Sequence, residues 1–105
     1  MADNIKTLDN SVKNYVEDVK SVIPVDKAIL FGSYAKGTAT EHSDIDLCFF
    51  SDSFENQDPI DVLKTLFRMT WKYKGIDIEP HAYPTSELEN DNPFIKEILR
   101  TGKEI

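Results

Sequence analysis

Ile29–Ser51, ILFGSYAKGTATEHSDIDLCFFS, is the stretch on which the reading of this chain turns. An apolar run through Phe31 stops at Gly32-Ser33, a polar segment follows, and Asp44 and Asp46 lead into a second apolar run, Ile45, Leu47, Cys48, Phe49 and Phe50. The periodicity predicts a strand, a tight turn with a short helix ending near Gly37, and a second strand. Alternate side chains of a strand share a face, so Asp44 and Asp46 project together while Ile45, Leu47 and Phe49 face the other way. Two neighbouring carboxylates repel one another unless a cation lies between them. Hard oxygen donors of this kind suit Mg²⁺, which shares its coordination with water and substrate phosphates. Gly32 lets the backbone turn sharply and a ligand come close. Ser33 is expected to cap the helix that follows, whose free amides attract an anion such as a phosphate. A phosphate-binding turn opposite a carboxylate pair is equipment for phosphoryl or nucleotidyl transfer.

Gly32-Ser33, the ten residues Tyr34–Ser43, then Asp44-Ile45-Asp46 resembles the signature of the nucleotidyltransferase superfamily with the DNA polymerase beta-like fold. At 105 residues the chain looks like a minimal nucleotidyltransferase (MNT). The resemblance implies an α/β (α+β) fold, a small mixed β-sheet with helices packed against one face, formed as a single domain over residues 1–105. It also implies a third carboxylate on a neighbouring strand. Ile76–Tyr83 alternates as such a strand, with Asp77 and Glu79 on one face and Ile76 and Ile78 on the other. Either acid can fill the role. The Ile78-Glu79-Pro80-His81 run, closer to some small bacterial members, leans the choice toward Glu79. Pro80 implies a strand edge or bulge, and His81 reads as a polar edge residue. Lys36 either touches a phosphate or is solvated, and His42 reads as a loop residue.

On this resemblance the expected activity is Mg²⁺-dependent transfer of a nucleotidyl group, AMP from ATP, to a hydroxyl. Asp44, Asp46 and either Asp77 or Glu79 hold the metal, with Gly32, Ser33 and Lys36 at the triphosphate. Many minimal members look like the antitoxin half of a toxin–antitoxin pair with a helical HEPN-domain protein, whose tyrosine is the acceptor. Such a partner would supply what larger members carry as a helical domain, for which this chain has no room. A non-catalytic antitoxin and a transferase acting on a small molecule are the competing readings.

Composition narrows the field. Forty per cent hydrophobic and thirty per cent charged residues are ordinary for a globular domain. A net charge of −7 argues against a nucleic-acid substrate, since such binders take most of their affinity from phosphate neutralisation. Arg68, Lys72 and Lys74 lie near one another, with few other basic clusters in the chain. No run approaches membrane-span length, and the first residues lack signal-peptide character. The single cysteine, Cys48, reads as a buried hydrophobe suited to a reducing cytoplasm.

The remaining segments read as scaffold. Ile5, Leu8, Val12, Val16, Val19 and Ile23 recur at helical spacing, with Asp3 or Asn4 as cap and Pro24 as stop. Asp58-Pro59 opens a helix expected to run to Gly75, with Ile60, Leu63, Phe67 and Trp71 as one stripe and Val62, Leu66, Met69 and Tyr73 widening it. So wide a surface suggests burial, a docked partner or a homo-oligomer. Asn92-Pro93 opens a last helix with Ile95, Ile98 and Leu99 facing inward, stopped by Gly102.

Overall fold

A computed structural model describes the backbone of residues 2–40 and 43–105, and side chains from Asn10 onward within those ranges. His42 lies outside the described residues. The elements are α1 (Ala2–Val22), β1 (Lys27–Phe31), α2 (Ser33–Lys36), β2 (Ile45–Phe50), α3 (Pro59–Arg68), β3 (Ile78–Tyr83), α4 (Pro93–Thr101) and β4 (Lys103–Glu104). Short 3₁₀ turns at Asp52–Asn56 and Thr85–Leu88 join them. The sheet runs β3-β2-β1-β4. β1 pairs antiparallel with β2 and with β4, whereas β2 pairs parallel with β3. The expected small mixed sheet is therefore present. The short connection through α2 folds β1 back onto β2, and the longer crossover through α3 brings β3 in parallel.

Strand alternation assigns the two faces. Ala28, Ile45, Leu47, Phe49 and Ile78 meet Val12, Tyr15, Val16 and Val19 of α1 and Val62 and Leu66 of α3. Ile29, Cys48 and Phe50 meet Ile95 and Ile98 of α4. The expectation of helices on one face thus holds for α1 and α3, while α4 covers part of the other. Tyr15, outside the apolar repeat read for this helix, is fully buried and donates a hydrogen bond to the Leu66 carbonyl at 2.8 Å, tying α1 to α3. Burial holds its hydroxyl far above the ordinary tyrosine range.

Several terminal signals worked locally. The Asp58 side chain accepts from the Ile60 amide at 2.9 Å, and that of Asn92 from Phe94 at 3.0 Å, each just before a proline at the helix start. Gly37 ends α2 in the left-handed region. Others gave way. Asp3 and Asn4 lie inside α1, which begins at Ala2. The residue before α2 is Gly32, which has no side chain to cap with, so Ser33 is the first residue of that helix and not its cap. α3 stops at Arg68 rather than near Gly75. The Thr70 amide and hydroxyl both turn back to the Phe67 carbonyl, the hydroxyl at 2.6 Å, so the chain leaves the α ladder in tight turns. Leu99 is exposed rather than inward-facing. β3 is an edge strand, as Pro80 implied, but it continues past the proline to Tyr83.

Candidate active site

β2 and β3 build the site by register. Asp46 pairs with Glu79, and two residues along the same face Cys48 pairs with His81. Because the pairing is parallel, side chains of paired residues stand on one face of the sheet. Phe31, the last residue of β1, pairs with Asp46 from the other side. The face at this end of the sheet therefore carries Phe31, Asp46, Glu79 and His81 in adjacent columns. Asp44 precedes β2 and is exposed. Its charge acts on Glu79, adding to the larger effects of burial and of Asp46 in raising that carboxyl.

The turn after β1 closes on this cluster. Gly32 has φ 77°, a backbone conformation that residues with a side chain rarely adopt. A Cβ there would meet Asp46 Oδ2, so any other residue would strain the turn and push that carboxylate aside. Ser33 follows, half-buried, and Lys36 is exposed in the last turn of α2. The Lys36 charge reaches toward α4. After the larger effect of the Arg100 hydrogen bond, it helps hold the Glu97 carboxyl below its ordinary value.

The electrostatics are those of negative charge short of counterions. Burial pushes the Asp46 carboxyl above its ordinary value and Asp44 adds to this, while His81 pulls the other way. Glu79 is pushed up by burial and then by the Asp46 charge. Among the described residues the basic side chain paired with this group is His81, whose Nε2 stands 3.9 Å from Asp46 Oδ1. Lys72, the nearest thing to a basic patch with Arg68 and Lys74, is engaged elsewhere, by Asp18 at 2.7 Å. A divalent cation fits this set. Donor atoms of Asp46, Glu79 and His81 lie within 4.8 Å of one another, and two oxygen donors dominate.

The two candidates for the third carboxylate separate. Glu79 lies in the cluster with Asp46. Asp77 precedes β3, is exposed, and accepts the Ile45 amide on its backbone carbonyl at 2.7 Å. Its place is on the rim of a hollow of about 310 Å³ shared with Asp44, Glu79, Phe67, Thr70, Ile76 and Ile78. A larger hollow of about 620 Å³ involves Val12, Leu30, Tyr34 and Ile45 on the α1 side, and none of the four acids lines it. His81, read from the sequence as a polar edge residue, is instead part of the cluster. Only the β2–β3 register brings it there, and the one sequence signal for it is its alternation with Glu79.

The chain matches the nucleotidyltransferase domain family over residues 12–104, and belongs to that family of enzymes. It is similar to MJ1305 of Methanocaldococcus jannaschii, designated a candidate protein adenylyltransferase: 35% identity, over 95% of this chain and 71% of that one. A second protein of that organism with the same designation, MJ0141, is 29% identical over 90% of this chain and 94% of its own length. In fold, the chain resembles the crystal structure of a candidate nucleotidyltransferase from Sulfolobus solfataricus, with a TM-score of 0.61 at 21% identity, covering 90% of this chain and 76% of that one.

Proposed function

We propose that the protein transfers AMP from ATP to a hydroxyl group of a partner protein, with Mg²⁺ held by Asp44, Asp46 and Glu79. The observation that carries this reading is the parallel register that sets Glu79 beside Asp46 while Gly32 closes against the same carboxylate. Carboxylates crowded with no lysine or arginine paired to them among the described residues are destabilised as anions, and a divalent cation offsets that cost. When bound, the metal would neutralise phosphate charge and acidify an attacking hydroxyl. The chain's own residues do the rest. The Gly32 and Ser33 turn holds the terminal phosphates and leaves the α-phosphorus toward the carboxylates. The acceptor oxygen bonds to that phosphorus as its bond to the bridging oxygen breaks, and pyrophosphate departs. The acceptor's proton passes to Glu79 or to Asp77 at the rim of the hollow.

A protein acceptor is supported by the designation that MJ1305 and MJ0141 share. Pairing with a HEPN-type helical protein in a toxin–antitoxin system, with a tyrosine as acceptor, rests on the sequence resemblance alone. The test is incubation with radiolabelled ATP and Mg²⁺, alone and with lysate of the source cells, beside Asp44→Ala/Asp46→Ala. Label transferred to a protein by the wild type only is the expected result. The reading is overturned by no transfer together with no Mg²⁺-dependent ATP binding.

A further inference from the structure

The acids at this end of the sheet do not form one uniform oxygen-lined site. Asp44 and Glu79 line the smaller hollow with Asp77, whereas Asp46 and His81 do not. The two oxygens of Asp46 face different ways. Oδ2 is against Gly32, and Oδ1 is turned to the His81 imidazole at 3.9 Å. Glu79 is common to both groups. Two donors bound to one ion at about 2.1 Å can be at most about 4.2 Å apart, so the Asp46–His81 pair already satisfies that limit. The remaining donor pairs of Asp46, Glu79 and His81 lie within 4.8 Å, so at most about 0.6 Å of closure brings them to that limit.

His81 is also held in place. Its ring meets Phe31 edge-on at 5.1 Å between centroids and leans on Phe94 at 6.2 Å. The two rings flank the imidazole, and its Nε2 is the nitrogen turned to Asp46. A histidine serving only as a solvated edge residue needs no such support. One aromatic nitrogen with two carboxylates is a donor set for a first-row transition ion such as Mn²⁺, whereas Mg²⁺ selects oxygen and water.

We propose that His81 is a metal ligand, completing with Asp46 and Glu79 a nitrogen-containing position that takes Mn²⁺ in preference to Mg²⁺. This deepens the nucleotidyl-transfer reading and rests on it. It makes the β2–β3 register supply, beside the half-buried Asp46, a nitrogen donor that the oxygen-only reading leaves unused.

The test needs no turnover. The full chain, stripped with a chelator, is titrated with MnCl₂ and with MgCl₂ by calorimetry, and the Mn²⁺-loaded protein is examined by pulsed electron paramagnetic resonance for ¹⁴N modulation. The expected result is directly coordinated nitrogen in the wild type. In His81→Phe, which keeps a ring between Phe31 and Phe94, the modulation is lost. There Mn²⁺ affinity falls about tenfold or more while Mg²⁺ affinity changes less than about twofold. A thermal melt confirms that the variant folds, and His81→Ala serves as a second variant without the added ring. The chain has two histidines, so His42→Ala is run alongside and is expected to keep the signal. Absence of nitrogen coupling in the wild type, or its loss in His42→Ala instead, overturns the assignment. Asp46-dependent binding of both ions without nitrogen coupling removes His81 and leaves the nucleotidyl-transfer reading standing. No binding of either ion, with or without ATP, removes both.

Discussion

On the side of the sheet turned to α1 and α3, Leu47 and Phe49 have no exposed surface and sit among aliphatic and aromatic neighbours from both helices. On the side turned to α4, Ile29, Cys48 and Phe50 are just as dry, but toward Gly32 they give way to Asp46, Glu79 and His81. The same six residues of β2 serve both faces in strict alternation. One face holds the fold together without interruption. The other spends only half its length on packing and leaves the rest open for charged groups that the core would reject. Asp46 and Leu47 are neighbours in sequence with opposite roles, and a slip of one residue in register would exchange them.

The contrast can be broken from the packed side first. Phe49→Ala, emptying a site with no exposed surface between Tyr15 and the α3 side chains, is expected to cost about 3–5 kcal/mol. Urea denaturation measures it, and a loss under 1 kcal/mol would show that this face is far less tightly packed.

The junction between the faces comes next. Gly32→Ala strains the backbone by about 1–3 kcal/mol and forces Asp46 aside. Nucleotidyl transfer is expected to fall about 100-fold or more with the fold retained by circular dichroism. Activity near wild type would mean that Asp46 is not held where this turn puts it.

A subtler effect separates the faces by sign. A carboxyl whose pKa is higher folded than unfolded favours folding when protonated. Asp46 and Glu79 therefore withdraw stability as pH rises from the ordinary carboxylate range through their raised values. In chelator, Asp46→Asn is expected to raise the melting midpoint above that range, to flatten its pH dependence there, and to abolish transfer. A lowered midpoint at neutral pH would mean that the acid is stabilised by interactions other than those described.

The smallest effect is expected at Trp71, 70% exposed beyond the end of α3. Trp71→Ser should leave stability within about 0.5 kcal/mol, whereas Leu66→Ala, one helical turn back and fully buried, should cost several times more. A large loss at Trp71 would show that its ring is covered in the folded state.

Much of this arrangement is written locally in the chain. The strand, Gly-Ser turn and Asp-x-Asp strand follow from alternation and one glycine. The starts of α3 and α4 follow from a capping side chain followed by proline. What depends on distant partners is harder to see. Glu79 and Asp77 have the same local pattern, and only the pairing of β2 with β3 sets one beside Asp46 and the other at the rim. His81 gains its neighbours the same way. The α3 apolar surface was too wide to orient from spacing alone; tertiary contact selects Val62 and Leu66 for the core and leaves Ile60, Phe67 and Trp71 outside. No proline or glycine marks the end of α3 at Arg68, because a threonine hydroxyl competing for a carbonyl leaves no sharp signature. β4, two exposed charged residues held by β1, has no strand pattern of its own.

Cys48 has a use that its packing role conceals. It is the chain's single thiol, lies directly beneath α4 and pairs across the strands with His81. Burial pushes its pKa up to about 12, so at neutral pH the closed protein presents almost no thiolate to an alkylating reagent. Modification must wait for α4 to lift or for the chain to unfold. The molecule thus contains its own stopwatch: the labelling rate of one sulfur times the opening of the wall beside the carboxylates, without any probe being added to the site.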